Sequence, residues 1–145
     1  MIKKEKPTWY IVTFHIIMTA IIFPFFGLLA GYFLIKFFGN MLQSGTLVII
    51  KDIISIGFFF LGVMYSLIYI DKKILIKKPL NCSKNAILMF TILILYVWSV
   101  HIANNPNTIA MVYNTLFYGI IFLIFFIMTR QYFTKLAQNS KDSGK

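Results

Sequence analysis

Acidic residues are nearly missing from this sequence. Glu5, Asp52, Asp71 and Asp142 are the full set, which excludes a carboxylate dyad inside an apolar segment and a carboxylate-rich magnesium site of the kind that serves phosphate substrates. Cys82 is the single cysteine, so no intramolecular disulfide forms and no paired zinc-ligand motif exists. HExxH, GxSxG and P-loop patterns are absent. Arg130 is the lone arginine, and charged residues make up 12% of the chain, about half the share typical of soluble domains. The chain is therefore expected to be no enzyme and to need no cofactor or metal.

What fills the chain instead is apolar: 59% of its 145 residues are hydrophobic, more than a domain of that length can hide from water, so much of the surface must face lipid. The net charge of +10 does not point to nucleic acid, because the basic residues fall in short stretches between apolar runs rather than on one face. The densest stretch is DKKILIKKPLNCSKN, from Asp71 to Asn85, which divides the chain into two hydrophobic halves. Lys3, Lys4 and Lys6 precede an apolar run from Trp9 to Ile35, too long for the ~7–15-residue core of a signal peptide. The N-terminus is expected to be retained.

The pattern predicts an all-α, integral membrane four-helix bundle over residues 1–135. Its helices are expected near 8–35, 47–70, 86–103 and 108–129, as two antiparallel transmembrane hairpins, with a disordered tail over 136–145. Lys3, Lys4, Lys6, the five lysines from Lys72 to Lys84, and Arg130, Lys135, Lys141 and Lys145 fall on one side of such a bundle, and Lys36 and Lys51 on the other. By the positive-inside rule both termini are cytoplasmic. Pro24 interrupts the first helix and predicts a bend, tolerated where neighbouring helices satisfy the freed carbonyl. Gly27 and Gly31, one turn apart, mark a face on which another helix backbone can approach closely. Gly57 and Gly62 read the same way on the second helix.

Few polar side chains lie within the spans. His15 enters the first helix about 9 Å beyond Trp9, and His101 lies near the far end of the third. Their depths are too different for a shared haem iron, and each ring is expected to be neutral and hydrogen-bonded to a neighbouring helix. Lys51 and Asp52 on the second helix, His101 on the third and Asn114 on the fourth share a depth near the outer surface. These four form the candidate outer-rim site, with Asp52 a partner for Lys51 or His101.

Size, short loops and the absence of catalytic motifs suggest a small non-catalytic accessory protein. Its expected partners are the lipid bilayer and either another membrane protein or a membrane-active peptide, the latter in the manner of a bacteriocin immunity protein. The alternative is a subunit of an oligomeric small-solute transporter or channel, in which the Gly27–Gly31 face serves assembly into a homo-oligomer. Thirteen lysines to one arginine, with abundant Ile, Phe and Asn, indicate an AT-rich coding sequence and hence a bacterial cell membrane.

Overall fold

The computed structural model describes residues 3–39, 44–104 and 107–142. The lead residues Lys4–Glu5 form a short strand, β1. Then come α1 (Thr8–Ile17), a π-helical turn (Met18–Ile22), α2 (Phe23–Phe38), α3 (Ser44–Lys73), a second short strand β2 (Ile74–Leu75), α4 (Pro79–Asn104) and α5 (Thr108–Asp142). The stretches Thr8–Phe38, Gly45–Lys73, Pro79–Asn104 and Thr108–Asn139 are each long and apolar enough to cross a bilayer, which makes the all-α, four-helix reading of the sequence sound and the chain a multi-pass membrane protein in architecture.

The helices outrun their sequence-based limits, most at the ends that carry lysines, because a helix can point lysines at water while its other face packs. Thus α4 begins at Pro79 rather than Ala86, proline fitting the first helical position without loss of a hydrogen bond. Cys82 and Ser83, expected in a basic loop, are buried on the inner face of that helix together with Ala86 and Phe90. Likewise α5 continues through Asp142, into the tail expected to be disordered. Positions 40–43 of the first loop, Asn105 and Pro106 of the second hairpin turn, and 143–145 of the tail lie outside the described residues.

At the basic end of the bundle β1 and β2 pair in parallel, Lys4 opposite Ile74 and Glu5 opposite Leu75. Two ion pairs flank this ladder, Lys77 to Glu5 at 2.9 Å and Lys3 to Asp71 at 3.8 Å. Both are exposed and add little to stability, but they fix where the lead lies. Ile74 is buried beneath the ladder.

The first long helix changes neighbours halfway. Its α1 half packs on α4 and α3, whereas α2 packs on α3. Between them lies the π turn, followed at once by Pro24 near the start of α2; the carbonyl that Pro24 leaves without a donor is that of Ala20, inside the turn. Gly62 of α3 receives it: a Cβ there would lie 2.9 Å from the Phe23 Cβ and 3.2 Å from the Met18 carbonyl oxygen. Gly27 and Gly31 are buried against the same helix, where a Cβ would lie 3.2 Å from that of Phe58 and 3.0 Å from the Lys51 Cγ respectively. Gly57 differs. Nothing lies within 4 Å of a Cβ built on it, so the close-packing role read for it from sequence does not hold.

Candidate functional site

The centre of the bundle is built from one ring of each long helix. His15 of α1 stacks on Phe125 of α5 at 5.0 Å between centroids, Phe125 on Phe90 of α4 at 4.0 Å, and Phe90 leans on Phe59 of α3 at 5.6 Å. All four residues are buried. Aromatic rings packed on one another gain contact energy beyond the area they bury, and the chain of rings closes the middle of the bundle.

His15 also carries the bundle's central polar group. Its Nδ1 lies 2.6 Å from the Ser66 hydroxyl of α3, and its Nε2 lies 3.0 Å from the Thr129 hydroxyl of α5. One tautomer satisfies every atom. Ser66 donates its proton to the Val63 carbonyl at 2.9 Å, so its oxygen accepts from Nδ1–H, and Nε2 is left to accept the Thr129 proton. Thr19, one turn along from His15, donates to the His15 carbonyl at the threshold of the π turn. All four polar residues are fully buried. The sequence reading of His15 as a ring bonded to one neighbouring helix is met twice over, since this side chain ties α1 to α3 and to α5.

The outer-rim residues lie at the end of the bundle away from β1 and β2, in two groups. Lys51 Nζ is 3.8 Å from Asp52 Oδ1, and the Asp52 side chain is 15% exposed. The other carboxylate oxygen accepts a hydrogen bond from the Tyr113 hydroxyl of α5. His101 of α4 meets Tyr118 of α5 edge to face at 5.5 Å, and is exposed. Asn114 is half-buried on α5 beside Tyr113. The carboxylate's partner across the bundle is thus a tyrosine that sequence reasoning did not single out, in place of His101. Trp98 of α4 donates its indole N–H to Thr115 of α5 at 3.0 Å, and Thr115 passes its proton to the Met111 carbonyl at 2.8 Å. A shallow apolar groove of about 290 Å³ runs beneath that bond between α4 and α5, past Leu95, Gly119 and Phe122.

Among the described residues no three His, Cys, Asp or Glu side chains gather where a metal ion would be held. Cys82 is fully buried, so its thiol is out of reach of acylation in the folded chain. Comparison with protein-family models, with curated proteins and with solved structures gives no match.

Proposed function

We propose that this chain is a non-catalytic accessory protein of a bacterial cytoplasmic membrane. It would be inserted with its basic end and both termini inside, and would act on another membrane protein or against a membrane-active peptide, as bacteriocin immunity proteins do. The observation that carries this reading is the closed centre. Four rings, one from each long helix, fill the middle of the bundle, and the polar atoms there are used up on one another. Among the described residues such a centre leaves no free polar group at the level of the rings, which favours the lipid-facing surface and the rim as the parts that meet a partner. The transporter alternative is less well supported. It called on the Gly27–Gly31 face for assembly, and that face is occupied within one copy by α3.

Two experiments test the reading. For orientation, a cysteine replacing Asn107 should react with an impermeant thiol reagent in intact cells, while one replacing Lys78 reacts only after permeabilisation; the reverse pattern overturns the topology. For function, cells making the protein should survive a membrane-active peptide that kills cells without it. Asp52→Asn and His101→Ala should each remove most of that protection at an unchanged amount of membrane protein, because Asp52 joins two helices and His101 lies at the exposed rim. Solute flux through liposomes that contain only this protein would instead establish the transporter alternative.

A further inference from the structure

The rim half of the molecule consists of two helix pairs. α2 packs on α3 and α4 on α5 more extensively than any other elements pack, and α2 has no comparable packing with α4 or α5. Within each pair the fit is close. Gly27 and Gly31 seat α2 on α3, and the Trp98–Thr115 bond ties α4 to α5. Across the two pairs α3 packs less extensively on α5, Phe59 of α3 leans on Phe90 of α4 at the ring layer, and among the described residues beyond that layer the side-chain hydrogen bond is that from Tyr113 of α5 to Asp52 of α3. The ring layer is held differently. There His15 bonds to α3 and α5 at once, and α1 packs on α4.

We propose that the rim half is a two-jawed device, with α2–α3 and α4–α5 as rigid jaws that tilt about the His15 layer and are latched by the Tyr113–Asp52 hydrogen bond. The π turn is what permits this. It uncouples α2 from α1, so that α2 follows α3 while α1 stays fixed to α4, and such turns inside helices recur where function requires a local departure from α geometry. Gly62 gives the turn its seat. The lever is long: fourteen residues of α3 separate Asp52 from Ser66, about 21 Å of helix. A tilt of roughly 10° at the pin displaces the rim by about 3–4 Å. The latch therefore governs a motion far larger than the length of one bond.

Distances between paired spin labels in the full chain, reconstituted in lipid with Cys82→Ala, test the proposal. One pair is placed at Leu29 of α2 and Tyr96 of α4, across the jaws, and a second at Trp9 of α1 and Leu88 of α4, below the pin; all four positions are exposed. In Tyr113→Phe and in Asp52→Ala the first distance should lengthen and broaden by about 3–4 Å, while the second stays as in the parent. An unchanged first distance in both variants would falsify the latch. Equal changes in both distances would show a general loosening of the bundle and overturn the hinge.

Discussion

Replacing His15 with alanine should cost about 3 kcal/mol of bundle stability, one of the two largest effects of a single-site change that this structure implies. Two losses add. The ring's removal leaves a cavity against Phe125, and large-to-small changes in a packed core cost roughly 2–5 kcal/mol. The hydroxyls of Ser66 and Thr129 also lose their shared partner; interhelical hydrogen bonds of this kind average about 0.6 kcal/mol in membranes. His15→Phe separates the two terms, since it restores most of the volume and neither bond, and should fall between parent and alanine at about 1–2 kcal/mol. Thermal unfolding in mild detergent orders the three proteins. Alanine within about 0.5 kcal/mol of the parent would mean that His15 ties nothing together. The consequence reaches functional assays too, because His15, remote from the rim and suited by depth alone to be an inert control, is unfit for that use.

The second large effect is expected from the glycines of α2. Leucine at both Gly27 and Gly31 should destabilise the fold by about 3 kcal/mol or more, since each overpacking of a close contact costs roughly 1–3 kcal/mol. The atoms that would have to yield include the backbone of Ser55, whose Cα lies 3.5 Å from a Cβ at position 27. Gly57→Leu and Gly119→Leu provide the contrast. A Cβ at either site meets nothing within 4 Å, and leucine is the better helix former by somewhat under 1 kcal/mol, so these variants should equal or slightly exceed the parent in melting temperature. If all four positions responded alike, the close approach of α2 to α3 would not be what the glycines serve.

The four helices, their order and the α2 packing face were legible because each rests on a local signal: an apolar run, a charge between runs, small residues one turn apart. What escaped is tertiary. Phe125, Thr129 and Phe133 recur every four residues and all three are buried, so Thr129 could be placed on a core face, yet nothing local says that His15 faces it from another helix. Asp52 was legible as a costly charge within a span. Its partner Tyr113 was not, because the choice between Tyr113 and His101 depends on how far α4 and α5 are rotated about their axes. The start of α4 was misplaced although Cys82, Ser83, Ala86 and Phe90 have helical spacing. Lys84 among them, and Lys77 and Lys78 just before, masked the pattern, and only packing on α1 shows that Lys84 points away.

The His15 cluster also bears on the order in which the chain is made. Ser66 follows His15 by 51 residues and Thr129 by 114. At about 5–20 residues per second, Thr129 is synthesised roughly 6–23 s after His15. For a chain threaded into a bilayer as it emerges, the first helix spends that interval with an imidazole whose two final partners are not both made. An unsatisfied polar ring in hydrocarbon is costly, so the nascent first helix has reason to stay beside the insertion machinery or at the lipid headgroups until the last helix arrives. The same residue that closes the finished bundle thereby ties completion of its assembly to the last helix.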